Sequence, residues 1–296
     1  MKKILFATTA LVATAGVAAA DVTFGGYGRF GVLYVDNGVT DDTNVTSRFR
    51  LQIDATAESD AGVTFGARVR LEGEERDAAG GTRAQFNGVR YFARSGGLEV
   101  GVGNIFGALE FMPGQYPIDL GLTGHNYDYT AYQFGGDAYS SGGLGSDGSN
   151  GVEVLYSAGD FSVHVSASDT SDRIAAHVAY TWNGWTFALG GQDSDNPTDT
   201  EVTATVGGSF GIADVTLAYA DNGTDGDIFV LAGRVDVGAA TNVEAYIADA
   251  DKWAETSFGI DFNHDLGGGT SLRGGISTGG SLGDGTAIDM GVRFNF

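Results

Sequence analysis

The chain has no cysteine, only three prolines, and a single lysine, Lys252, beyond its first three residues. The lack of cysteine excludes disulfides, thiolate metal centres and cysteine nucleophiles. The prolines, Pro113, Pro117 and Pro197, fall between the regular stretches described below, as they must if every strand is paired on both sides. Positive charge is scarce: the formal charge is −22, and −24 once Lys2 and Lys3 are discounted. So acidic a chain does not bind nucleic acid through its phosphates. Past residue 20 no apolar run approaches the roughly eighteen residues that a membrane helix needs. A β-barrel is the membrane architecture that such a scan misses, because its apolar residues come at every second position.

The first twenty residues, MKKILFATTALVATAGVAAA, have two lysines, an apolar run and the small-residue end Ala18-Ala19-Ala20. They read as a secretory signal peptide cleaved before Asp21, which leaves residues 21–296 as one domain. Within that domain RFRLQIDATAE, 48–58, alternates without a break. Phe49, Leu51, Ile53, Ala55 and Ala57 make an oily face, and Arg48, Arg50, Gln52, Asp54, Thr56 and Glu58 a wet one. In a β-sandwich the oily face would turn in; in a membrane barrel it would turn out to lipid.

Sixteen such stretches run from 22–36 to 285–296, among them 84–95 and 252–264. The connections after even-numbered stretches are mostly tight, such as Gly96-Gly97 and Asn183-Gly184, while those after odd-numbered ones are mostly longer. Even strand number with long loops on one rim and short turns on the other is the pattern of a bacterial outer-membrane barrel. Phe24 and Tyr34 share the oily face of the first stretch, spaced to span roughly 25 Å, the height of an outer-membrane apolar band. Trp182 and Trp185 flank the Asn183-Gly184 turn, where an aromatic girdle belongs. These features place the water inside.

The expected fold is all-β, a 16-stranded antiparallel transmembrane barrel whose long third outer loop, 107–149, folds into the lumen. A connection of some forty residues inside a compact domain is normally functional. It contains no lysine or arginine but has Glu110, Asp119, Asp128, Asp137 and Asp147; Asp147 is assigned to solvent. Nine of the thirteen arginines lie between 29 and 94, including Arg76 and Arg83. Arg29, Arg48, Arg50, Arg68 and Arg70 sit on the wet faces of the first three strands, and Arg90 and Arg94 share a face of the fourth. An arginine wall opposite an acidic loop would make a constriction with a transverse field, filtering solutes by size and polarity. The expectation is a passive, mildly cation-selective channel for small hydrophilic solutes and ions, not an enzyme.

Other signals carry less. GYGRFG matches GxGxxG but lies within a strand rather than opening a helix. GGLGSDGSN, 142–150, resembles one calcium-binding nonapeptide repeat, and such repeats work only stacked. His164 and Ser166 share a wet face and keep open an outer-membrane hydrolase, although no third residue to orient the histidine is evident. The same pattern would also suit a barrel plugged by its long loop or a substrate-specific channel. Asp193, Asp195, Asp199 and Glu201 cluster at an outer loop, where divalent cations would bridge them to lipopolysaccharide, or where they are simply solvated.

The leader, the start VTFGGYGRFGVLY and the ending DLGGGTSLRGGIS…DMGVRFNF resemble the general-diffusion porins of Gram-negative bacteria, of the Rhodobacter type, and the resemblance covers the whole chain. It implies a homotrimer of sixteen-stranded barrels in the outer membrane, the third loop forming an eyelet. It implies that terminal Phe296 is the signal read by the barrel-assembly machinery. It also implies calcium near the eyelet acids, with Glu110, Asp119 and Asp128 as candidates and no other cofactor required.

Overall fold

A computed structural model of the chain describes residues 20–74, 83–133, 135–140, 148–195 and 201–296. Residues 1–19 of the expected leader, Arg76, Asp147 and Pro197 lie outside them. The first strands are β1 (Ala20–Asp36), β2 (Asp41–Glu58), β3 (Thr64–Glu74), β4 (Arg83–Phe86), β5 (Arg90–Ser95) and β6 (Leu98–Asn104). After the long loop come β7 (Asn150–Ala158), β8 (Phe161–Ser168), β9 (Ile174–Trp182), β10 (Trp185–Asp193) and β11 (Glu201–Phe210). The rest are β12 (Ala213–Asp221), β13 (Asp227–Gly238), β14 (Thr241–Ala250), β15 (Ser257–Gly267), β16 (Thr270–Thr278) and β17 (Thr286–Asn295).

Apart from β4 and β5, each strand pairs antiparallel with the next, and β1 pairs with β17, so the sheet closes. Both β4 and β5 pair with β3 and form successive halves of one stave, giving a 16-stranded barrel. The break falls at 87–89, within the expected stretch 84–95. There Asn87 bonds Arg70 twice, its backbone N–H donating to the carbonyl and its Oδ1 accepting from the N–H at 2.8 Å. The expected stretch 252–264 begins late, at Ser257, because Trp253 closes a turn onto Ala250 and packs on the inner apolar cluster. Phe296 completes closure by exchanging backbone hydrogen bonds with Gly26, 3.0 and 3.1 Å.

The alternation settles which face meets which medium. In β9 Ile174, Val178, Tyr180 and Trp182 are exposed while Ala175, His177 and Ala179 are buried. The same inversion recurs in β1, where Phe24, Phe30 and Val32 stand exposed. A chain that exposes its large apolar side chains in a continuous belt and buries charge has its apolar solvent outside. At the tight rim Asn183 and Gly184 both have positive φ, 50° and 80°, the conformation of a two-residue hairpin turn.

Candidate functional site: the loop-narrowed lumen

The long connection enters the barrel after β6 and runs along the inner wall as far as β1 before returning. It is seated by shape and by charge. Alanines of β12, β13 and β14 (Ala218, Ala220, Ala232, Ala248, Ala250) form an inner apolar strip against Ile118, Leu120, Tyr129 and Ala131 of the loop. Glycines supply notches. A Cβ on Gly190 would lie 2.5 Å from Leu109 Cδ2 and 2.9 Å from Met112 Sδ. Gly31 and Gly291, paired across β1 and β17, together admit Leu122.

Four inward carboxylates hold the loop's backbone. Glu153 accepts from the N–H of Phe106 and Gly107 at 3.0 and 3.3 Å, and Glu244 from Asp119 N–H at 3.0 Å. Asp261 accepts from Gly121 N–H at 2.5 Å. Asp289 takes Leu122 N–H, Thr123 N–H and the Thr123 hydroxyl, the last two at 2.7 Å. Each of these carboxyl groups is buried, where a backbone N–H left without its acceptor would be costly, so the path is firmly set. Sequence reasoning missed these four anchors. Their inward phase was visible in the alternation, but the loop atoms opposite them were not.

The predicted acids divide into two pairs. Asp128 and Asp137 turn away from the lumen and are buried. Asp128 accepts from the Ser257 and Ser281 hydroxyls at 3.0 and 2.7 Å, and burial pushes its carboxyl above the usual range. Asp137 accepts from Arg173 at 2.7 Å and from the Ser168 hydroxyl at 2.8 Å. Glu110 and Asp119 are the pair that meets the lumen. Glu110 accepts the Tyr116 hydroxyl at 2.7 Å, and burial raises its carboxyl against that bond. Asp119, 58 % exposed, accepts from Arg273 at 2.5 Å and from Arg293 at 3.0 Å. Arg173, Arg273 and Arg293 were not among the predicted site residues.

The opposite wall carries Arg29, Arg48, Arg50, Arg68 and Arg70 on β1, β2 and β3, whose registers place Arg29 beside Arg48 and Tyr27 beside Arg50. Acids of the same strands pair with them: Glu74 with Arg48 at 2.5 Å, Glu72 with Arg50 at 2.5 Å and Asp54 with Arg68 at 2.6 Å. Arg70 lies over the Tyr139 ring and donates to Gln52. Arg29 donates to the Leu122 carbonyl at 2.5 Å, tying wall to loop. Arg90 differs from these. It is 1 % exposed behind the loop root, over the Phe106 ring and paired with Glu99 and Glu153. Arg94 is exposed beside the Gly96-Gly97 turn, at the rim rather than at the narrowing.

The remaining expectations also find places. His164 bonds Glu153 at 2.9 Å, and Ser166 accepts Ala108 N–H at 3.0 Å, so both are buried under the loop root as anchors. Of the outer acids, Asp199 lies outside the described residues, and Glu201 is buried inside the barrel. Glu110, Asp119 and Asp128 do not gather: each is committed to its own partner, Tyr116, the arginines or the serines. Among the described residues no group of three or more His, Asp or Glu side chains suits a metal. Held by those separate partners, the three do not fit a calcium ion.

An inside-out barrel with a loop laid against its inner wall defines a transmembrane channel narrowed by that loop. The comparisons agree. Residues 7–281 match the Gram-negative porin family, to which the chain belongs. It is similar to a porin of Fuscovulum blasticum, 32 % identical with 93 % of this chain and 100 % of that protein covered. A porin of Rhodobacter capsulatus is 30 % identical over the same shares. Among solved structures, a triple mutant of Rhodopseudomonas blastica porin superposes with a TM-score of 0.82 at 28 % identity, covering 93 % of this chain and all of that one. The protein is thus an outer-membrane porin through which small solutes and ions diffuse passively.

Proposed function

We propose that the narrowing is a charged eyelet, with Arg29, Arg48, Arg50, Arg68 and Arg70 on one side, joined by Arg273 and Arg293, and Glu110 and Asp119 on the other. The observation that carries this is Asp119, solvent-exposed on the loop and ion-paired to two wall arginines at 2.5 and 3.0 Å, beside the arginines of β1, β2 and β3. Fixed opposite charges lining a water-filled slit with low-dielectric walls set up a transverse field that favours dipolar solutes over apolar ones. The arginines' own partners, Glu72, Glu74 and Asp54, temper the wall, and the acidic balance of the chain makes the pore mildly cation-selective. The same reading takes the protein as a channel without turnover, since His164 and Ser166 serve the loop.

Residues 1–20 act as a cleaved leader, the barrels assemble as homotrimers, and Phe296 is read by the assembly machinery. The exposed apolar belt meets outer-membrane lipid, with lipopolysaccharide in the outer leaflet. The test of the eyelet is the zero-current potential in a KCl gradient. Wild type should favour potassium, and Asp119→Asn should move the potential toward chloride. A potential favouring chloride in wild type, or one indifferent to Asp119→Asn, would overturn the proposal.

A further inference from the structure

On the loop itself lies a recess of about 510 Å³, lined by Glu110, Tyr116, Asn126, Tyr127, Thr130 and Tyr132 among others, with no arginine, lysine or histidine among its described lining residues. Tyr116 and Tyr127, each 44 % exposed, form a corner: their rings are 6.5 Å apart at 87°. Tyr127 holds that position with φ at 58°, a left-handed conformation a tyrosine rarely adopts, two residues after His125 at 44°. Behind it the aromatic row continues to Tyr129, 5.7 Å away, which packs against Tyr246 of β14. The hydroxyl of Tyr116 is engaged by Glu110, so ring and carboxylate are held on the same side of the recess.

We propose that this recess is a subsite for quaternary or alkylated ammonium groups of permeating solutes, with the Tyr116–Tyr127 corner receiving the methyl-clad cation and Glu110 supplying the counter-charge. Two perpendicular aromatic rings beside one carboxylate suit a soft, weakly hydrated cation, whose charge is attracted to the ring faces while its methyls shed water. The arginine wall opposite repels such a cation and leaves the loop face as its path. A simple charged slit gives no reason for a strained, exposed tyrosine at a recess whose described lining holds no cation, Arg234 lying in the adjoining recess on the other side of the same corner. The inference rests on the channel reading above and adds to it a class of solute.

The experiment is current through the mature chain, refolded as a barrel in planar bilayers at fixed KCl, with choline chloride added. Its uncharged isostere 3,3-dimethyl-1-butanol serves as control. Choline should reduce the potassium current saturably, and the isostere should not. Tyr127→Leu and Tyr116→Leu should each weaken the block about three- to tenfold, read against each variant's own unblocked current. Tyr127→Phe, which keeps the ring, should retain it, and Glu110→Gln should weaken it without loss of the ring corner. Equal effects of choline and isostere, or block unchanged in both leucine variants and in Glu110→Gln, would overturn the subsite while leaving the channel intact. Absence of any current from a folded barrel would overturn the channel reading instead.

Discussion

From β7 round to β17 the inner face carries alanines, glycine notches and buried carboxylates. From β1 to β3 it carries arginines paired with acids on neighbouring strands. Both faces have the same period and both are inward. One is dry, because the loop covers it; the other is wet. Inward phase in a barrel strand therefore specifies only that a residue is shielded from lipid. What it touches depends on whether another segment lies on that stretch of wall. The difference also accounts for β13, where Ile228 and Val230 point inward in an apolar run that reads DIFVLA: its inner face is core.

The contrast can be broken most severely at the anchors. Replacing Asp261 and Asp289 together by Ala should strand the N–H groups of 121–123 and weaken the loop's attachment by on the order of 4 kcal/mol. Hydrogen exchange of those amides should rise by orders of magnitude while the barrel strands stay protected. A smaller break comes from filling a notch. Gly190→Val places methyls where Leu109 and Met112 now sit, and overpacking of this kind costs about 1–3 kcal/mol. Thermal unfolding should register it, whereas Gly184→Asn at the exposed hairpin rim, where a Cβ meets nothing within 4 Å, should cost less.

On the wet side the expected effect is on selectivity more than on stability. Removing two positive charges with Arg48→Gln and Arg50→Gln should raise the potassium-to-chloride permeability ratio roughly twofold, a local change in a focused field. The smallest effect belongs to Lys252. Its pair with Asp225 at 3.0 Å is exposed on both sides, and Lys252→Ala should change stability by no more than about 0.5 kcal/mol.

Most of the barrel was legible in the sequence because its signal is periodic and local. Alternation, turn chemistry and loop lengths set the strands, their sidedness and the inward loop; the largest departures were the start of β15 and the break in the β4–β5 stave, each where one side chain, Trp253 or Asn87, makes a tertiary contact. The arginines on β1, β2 and β3 were legible for the same reason. The partners were not. That Asp128 meets Ser257 and Ser281, that Asp137 meets Arg173, and that Arg90 is buried over Phe106 all depend on where a forty-residue loop crosses the wall. No period encodes such a crossing. The glycines at 31, 190 and 291 carried the hint, since a strand sacrifices packing at glycine only where something comes close.

The most direct test of the account is the conductance of the mature chain refolded into planar bilayers. An aqueous lumen beside a firmly seated loop predicts discrete current steps that are linear in voltage, grow with salt concentration and close in thirds for a trimer. A folded, heat-modifiable barrel that passes no current would contradict it, because the loop would then be a plug and the arginine wall would face protein rather than water.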